Sequence, residues 1–237
     1  MQSTFEGEDG FLRVYLHDRC DRDALRAGLG QRWEFTNLSY KAYPCCRFNH
    51  TAIDAAIALR SRHGLRADDV RRVRVGVNHQ AYEAVCTPVA MRKAPTTVVQ
   101  AQFSIPYTVA AALVDGRVGL SHFTPEGVRR DDVLAVASRV DAHEDAAIER
   151  EWSRNISPAV VEIEMNDGTR HVERIDVPSG HPQRPMTTTE IERKIDDCAA
   201  FAAVPLRGDT AVRLRECVAR LEQLADLHPL FACVHHG

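Results

Sequence analysis

The run AVVEIEM-NDG-TRHVERIDV, residues 159–177, constrains the fold more than any other stretch. Apolar and polar residues alternate on both sides of Asn166-Asp167-Gly168, the turn chemistry of a β-hairpin. Strands joined so tightly must pair antiparallel, which excludes a wholly parallel sheet. A third strand is expected at VRRVRVGVN, where Val73, Val75 and Val77 alternate with charged or small residues. Helical spacing surrounds these strands. After His50, TAIDAAIALRSRHG sets Ile53, Ile57 and Leu59 on one apolar face and stops at Gly64. Residues 100–114 read as a second apolar helix closed by Asp115-Gly116, with an interior Pro106 that must kink it or begin its regular part. Further helices are expected over 128–138, from the Thr187–Glu190 capping sequence through Phe201, and over 209–225. The opening residues predict a short capped helix over 21–30 and a strand over 33–40, closed by Pro44; residues 87–97 read as a loop. Helices interleaved with a few strands, one pair antiparallel, make the expected class α+β.

Composition narrows the function classes. The 237 residues suffice for one large domain or two small ones, and 44% hydrophobic with 27% charged residues excludes wholesale disorder. Thirty Lys and Arg against 33 Asp and Glu leave no basic excess, so no nucleic-acid partner is expected. No apolar run approaches the roughly 20 residues of a bilayer span, and the N-terminus lacks a signal-peptide pattern, so a cytoplasmic protein without a membrane partner is expected. The seven cysteines are irregularly spaced and include no C-x-x-C, which points to reduced, mostly buried thiols rather than a disulfide framework or a zinc ribbon. Cys45-Cys46 is poorly placed to hold one metal from both side chains, and His235-His236 reads as a tail with a weak metal signal. No metal is expected. Nucleotide-binding glycine motifs, H-E-x-x-H and G-x-S-x-G are all missing, so the enzyme chemistry left is cofactor-free acid–base chemistry.

Candidate site residues concentrate at the junction 41–50, KAYPCCRFNH, between the expected strand and helix. Such a junction presents side chains and free helix N–H groups to an anion. Lys41 and Arg47 suit carboxylates, Arg47 bidentately. Lys41 is also a general-base candidate, a role that needs burial or a neighbouring cation to release its proton. His50 is an acid–base candidate or simply a helix cap, and on composition alone a solvated loop with a capped helix is the commoner reading of the whole stretch. Two weaker stretches follow: His79 and Tyr82 beyond the expected strand, and His181 in the loop 180–186.

Three motifs resemble the MmgE/PrpD family. KAYPCCRFNHTAIDAAIAL (41–59) is similar to its K-x-Y-P-C-C-R-x-x-H-x-x-I-D-A pattern, and QAQFSIPYTVAAALVDGRVGLSHFT (100–124) to its A-x-F-S-x-x-Y-x-x-A-A-A-L-x-D-G pattern. GHPQRPMTTTEIERK (180–194) resembles its third, G-x-P-x-x-P-[ML]-[ST]-x-x-E-x-x-x-K. The family includes 2-methylcitrate dehydratase, iminodisuccinate epimerase and cis-aconitate decarboxylase. The resemblance implies an all-helical domain made from an N-terminal half and the last helices, with an α+β lid between them carrying a mixed or antiparallel sheet. On this chain residues 1–40 would end the helical segment, 41–182 would form the lid, and 183–237 would return to the helical domain. Most of that helical domain, with family histidines and an aspartate, would precede the point where this sequence begins.

For the site, the residue reading and the resemblance together give Lys41, His50 and Tyr82 as expected catalytic residues and Arg47, Cys46, His79 and His181 as expected substrate-binding ones, with no cofactor. Lys41 matches a family active-site lysine; Tyr82 or His79 lies near a site tyrosine. Cys46 falls where some decarboxylases carry histidine, a departure that leans toward the dehydratase or epimerase branches. The implied activity is 2-methylcitrate dehydratase-like lyase or isomerase chemistry on a small di- or tricarboxylate. It would need a separate helical N-terminal half or a homo-oligomer. The alternative is a non-catalytic subunit or truncated remnant that binds a partner.

Overall fold

The computed structural model describes residues 4–152, 158–204, 206 and 208–234. They divide into two compact units, one up to Leu38 and one from Ser39 onward. In the first, helix α1 (Phe11–Leu16) is followed by consecutive turns and a 3-10 turn, Glu34–Asn37. Two expectations fail here. Asp21 Oδ1 does accept from the backbone N–H groups of Asp23 (3.0 Å) and Ala24 (3.3 Å), as a helix cap would. Gly28 and Gly30 then adopt left-handed φ of 74° and 76°, so no regular helix propagates beyond this start. Residues 33–40 hold no strand either: the Leu38 N–H donates to the Phe35 carbonyl (3.1 Å), closing a tight turn. Strand propensity in WEFTNLSY finds no ladder to join.

The second unit contains, in chain order, α2 (His50–His63), β1 (Val70–Val77), α3 (His79–Val85), α4 (Val89–Lys93), α5 (Val98–Gln102), α6 (Ile105–Asp115), α7 (Asp131–Ala137), β2 (Val140–Glu144), α8 (Ala146–Trp152), β3 (Ala159–Met165), β4 (Arg170–Ile175), α9 (Thr188–Ala200), α10 (Thr210–Ala219) and α11 (His228–Val234). The strands form one mixed sheet in the order β2-β1-β3-β4. β1 runs parallel to β2, with Val73 opposite Val140, and antiparallel to β3, with Val75 opposite Val161. β3 and β4 make the expected hairpin, with Val161 opposite Glu173. Strict alternation buries Ala159, Val161, Ile163 and Met165 against the helices. β2 escapes sequence detection because VDAHE carries only one buried residue and is a parallel edge strand, without a hairpin turn to announce it.

Helices α2 and α6 pack on the sheet and on each other, burying Ile53, Ala56 and Leu59 against Val109 and Leu113 within one core. Gly64 ends α2 at φ 62° and Gly116 ends α6 at φ 68°. Pro106 begins α6 rather than kinking it. It sits in the first turn, where its missing N–H costs no helical bond, and the Ser104 hydroxyl accepts from the Tyr107 N–H (3.0 Å) as the N-cap. The expected helix over 100–114 is therefore two, α5 and α6, and the expected loop 87–97 contains α4. Helix α9 starts with the capping box predicted from Thr187 and Glu190. The helix expected over 209–225 stops at Ala219. Asp226 Oδ1 then accepts from the His228 N–H (2.7 Å), where α11 begins. None of α9 is buried, and Ile191, Val212, Val218 and Phe231 on the last three helices stay exposed. No helix among the described residues is long and apolar enough to cross a membrane.

Candidate functional site

The three motifs, separated by 40 and 55 intervening residues, meet at the segment before α2. The Cys46 N–H donates to the Gln102 carbonyl (2.9 Å), and the Gln102 amide donates to the Pro44 carbonyl (3.0 Å), tying the first motif to the second. The Tyr40 N–H donates to the Gly180 carbonyl (2.8 Å), bringing in the third. Gly180 holds φ 85°, and a Cβ there would collide with the Tyr40 carbonyl oxygen, so this close approach requires glycine. Asp54, in the first turns of α2, completes the junction. Its buried carboxylate accepts from the Tyr43 hydroxyl (2.6 Å), the Ser179 N–H (2.8 Å) and Arg184 Nη1 (2.8 Å). Burial, and after it the Asp54 carboxylate, push the Tyr43 hydroxyl well above the ordinary phenol range. Tyr43 is therefore a fixed donor and not a base.

A cleft of about 490 Å³ opens beside this junction, lined by residues 41–44, the loop 116–120 and one face of α9. That volume lies within the roughly 300–1,000 Å³ typical of small-ligand sites. Four cations, Lys41, Arg117, Arg193 and Lys194, face two acids, Glu190 and Asp197. Both acids are already engaged. Glu190 closes the capping box of α9, and Asp197 Oδ2 accepts from the Leu120 N–H (2.8 Å). Lys194 donates to the Lys41 carbonyl (2.7 Å). Among the described residues, no hydrogen bond or ion pair engages the Lys41 ammonium or the guanidinium groups of Arg117 and Arg193. The cleft is thus a cationic pocket whose acids are spent on structure.

The cleft loop is itself held from behind. His122, fully buried, accepts at Nδ1 from the Gly119 N–H (3.1 Å) and donates from Nε2 to Asp115 Oδ2 (2.8 Å). Arg130 clamps Asp115 through two contacts of 2.6 and 3.1 Å and holds its carboxyl below the usual range. Sequence reasoning passed over His122 and Asp115. Their spacing in DGRVGLSH is a usable signal only once the loop between them is known to line a pocket.

The model of the MmgE/PrpD C-terminal domain matches residues 43–220. The chain belongs to the MmgE/PrpD family. Among curated relatives, a cis-aconitate decarboxylase of Aspergillus terreus is 26% identical over 233 residues, covering 93% of this chain and 46% of that protein. The human cis-aconitate decarboxylase is 25% identical over 195 residues, covering 80% of this chain and 38% of the relative. The chain therefore spans less than half the length of these relatives.

Against this MmgE/PrpD frame, the candidate residues sort into distinct places. Lys41 is exposed on the cleft wall, and it alone of the seven lines the cleft. Arg47 points away as a brace: its Nη1 donates to the carbonyls of Tyr40 and Ser179, both at 3.2 Å. His50 is fully buried with Nδ1 3.1 Å from that same Nη1. A guanidinium has no acceptor, so Nδ1 accepts and the His50 proton sits on Nε2. Burial and then the Arg47 charge push His50 down to about 3, so it is neutral at physiological pH. His50 holds the junction as a neutral imidazole. Cys46 is half-buried against the core, and burial pushes its neighbour Cys45 up to about 12. Tyr82 packs partly buried on α3, which lies against the 3-10 turn Arg47–Asn49. His79, at the exposed start of α3, pairs with Glu144 (3.2 Å), which raises its pKa. His181 Nδ1 accepts from the Gln183 N–H (3.2 Å) within its own turn. Among the described residues no three His, Cys, Asp or Glu side chains gather as metal ligands; His235-His236 lies outside them.

The state of His50 has a measurable consequence. Its folded pKa of about 3 lies below the ordinary 6.5, so between these values the unfolded chain binds a proton that the folded chain refuses. Stability is full above pH 6.5 and falls as pH drops through that window, by up to ~1.4 kcal/mol per unit from this group. Urea unfolding from neutral pH down to about 4.5 should show His50→Gln losing that slope. Equal slopes in both proteins would rule out a buried neutral His50.

Proposed function

We propose that this chain supplies the cationic half of a cofactor-independent active site for lyase or isomerase chemistry on a small di- or tricarboxylate. A helical N-terminal half would complete it. The observation that carries this reading is the cleft in which Lys41, Arg117 and Arg193 have no partner among the described residues while both lining acids are engaged. Exposed cations without partners suit carboxylates, and two guanidinium groups can take two of them through charge-assisted hydrogen bonds. The reaction begins with removal of the proton α to a carboxylate, where nearby cations stabilise the developing negative charge. Loss of hydroxide from the adjacent carbon then gives an unsaturated acid and water, whereas return of the proton to the opposite face inverts the centre. Lys41 either holds a carboxylate as its ammonium or, once deprotonated, accepts the α-proton; the pH dependence of turnover separates these roles. Arg47 and His50 act behind the site, bracing the junction that carries Lys41.

The names of the relatives favour a tricarboxylate and bring decarboxylation into the set of reactions to test. Cys46, where some family decarboxylases carry histidine, favours dehydration or epimerisation. The test combines this chain with its helical half and offers 2-methylcitrate, iminodisuccinate and cis-aconitate in separate assays. Turnover of one of the three is expected, and inertness toward all three would refute the enzymatic reading. In that event the exposed apolar faces of α9–α11 favour a partner-binding subunit, which size-exclusion mass would show as a complex.

A further inference from the structure

Helices α10 and α11 pack against each other and bring Cys217 and Cys233, sixteen positions apart in sequence, to an Sγ–Sγ distance of 3.9 Å. A disulfide bond is about 2.05 Å long, so closure requires the sulfurs to move together by about 2 Å. Cys217 is buried at 8% exposure, while Cys233 is half-buried and hydrogen-bonds through its thiol to the Pro229 carbonyl (3.2 Å). A shallow cleft of about 260 Å³ opens beside the pair, lined by Arg213, Glu216 and Arg220 as well as both cysteines. Its two arginines suit an anionic thiol reagent. The remaining described cysteines contrast with this arrangement. Cys45 and Cys86 are buried, and burial pushes both thiols up to about 12. Cys198 is exposed, and the only thiol–thiol contact among the described residues is that of Cys217 with Cys233.

We propose that Cys217 and Cys233 form a reversible intrachain disulfide, tying α11 to α10 when the protein meets a low-molecular-weight disulfide such as oxidised glutathione. The Cys233 thiolate, the more accessible of the two, attacks one sulfur of oxidised glutathione and expels one glutathione thiol, leaving a mixed disulfide. The Cys217 thiolate then attacks the Cys233 sulfur and expels the second. The two protein thiols lose two electrons and two protons, and the glutathione disulfide gains them. Burial, and after it the hydrogen bond with Cys217, raise Cys233, so the first step accelerates with pH. In a reducing compartment the pair rests as the dithiol and closes on oxidation.

The test treats the full chain with graded ratios of oxidised to reduced glutathione, quenches by alkylation, and digests with trypsin without reduction. Cleavage after Arg215 and Arg220 places Cys217 in peptide 216–220 and Cys233 in peptide 221–237, so the bond joins two separable fragments. The expected result is loss of two of the seven thiols in a monomer, recovery of the linked pair of peptides, and full reversal by reduced glutathione. Cys217→Ser and Cys233→Ser each abolish the linked species, while Cys198→Ser retains it. Recovery of both cysteines alkylated, a stable glutathione adduct without the link, or pairing of Cys233 with Cys198 or with a second chain would overturn the proposal. The wild-type digest decides the matter even if a variant fails to fold.

Discussion

Replacing Asp54 by alanine will destabilise the second unit by about 3–5 kcal/mol, which for a chain of this size corresponds to a fall in melting temperature of roughly 6–20 °C. The reason is the number of groups that one buried carboxylate serves. Its side chain is 3% exposed, and it accepts from Tyr43, the Ser179 N–H and Arg184. Removing it leaves the Tyr43 hydroxyl and a buried N–H without acceptors, each costing about 1–3 kcal/mol, and frees Arg184, which is itself partly exposed. Asp54→Asn should cost less, because one oxygen acceptor survives, but it cannot satisfy three donors. Thermal denaturation measures the loss, and limited proteolysis across residues 178–187 should quicken in step with it. An Asp54→Ala protein melting within a degree or two of wild type would mean that this junction does not hold the third motif in place.

Replacing Lys41 by alanine in the assembled enzyme will lower turnover by about 10²–10⁴-fold if it moves the α-proton. The same change will chiefly raise KM, by about ten- to a hundredfold, if its ammonium only binds a carboxylate. Arg117→Ala and Arg193→Ala should both fall in the second class. The prediction is clean because no hydrogen bond or ion pair among the described residues engages any of these three charged groups, so their loss should leave the melting temperature unchanged. Steady-state kinetics on the accepted carboxylate, with thermal unfolding alongside, separates binding from chemistry. Full activity in Lys41→Ala would remove that residue from the site, and unchanged KM in both arginine variants would move the carboxylates elsewhere.

The contrast between Asp54 and Lys41 shows how far sequence reasoning reached. Lys41 was legible from the motif and from its place at a junction, and the structure sets it on the cleft wall. His50 was equally conspicuous, yet it is a buried neutral imidazole facing Arg47. A side chain's type does not disclose its solvation, and solvation decides its charge. Arg117 and Arg193 drew no notice because they lie 76 positions apart and share a pocket only through the packing of the loop 116–120 on α9. His122 and Asp115 are only seven positions apart, but nothing local shows that the loop between them lines a pocket.

By itself the sequence determined what depends on neighbours along the chain. The hairpin follows from alternation around Asn166-Asp167-Gly168, the end of α2 from Gly64, the start of α6 from Pro106, and the start of α9 from Thr187 and Glu190. Period, caps and turns act over one to eight residues, and those distances are written directly in the residue order. Tertiary structure alone decided what depends on neighbours through space. It joined three motifs through Asp54, Gln102 and Gly180, added β2 as a parallel edge, dissolved the expected strand at 33–40, and set Cys217 against Cys233. Burial and long-range pairing settle those outcomes, and neither is a property of any local window of sequence.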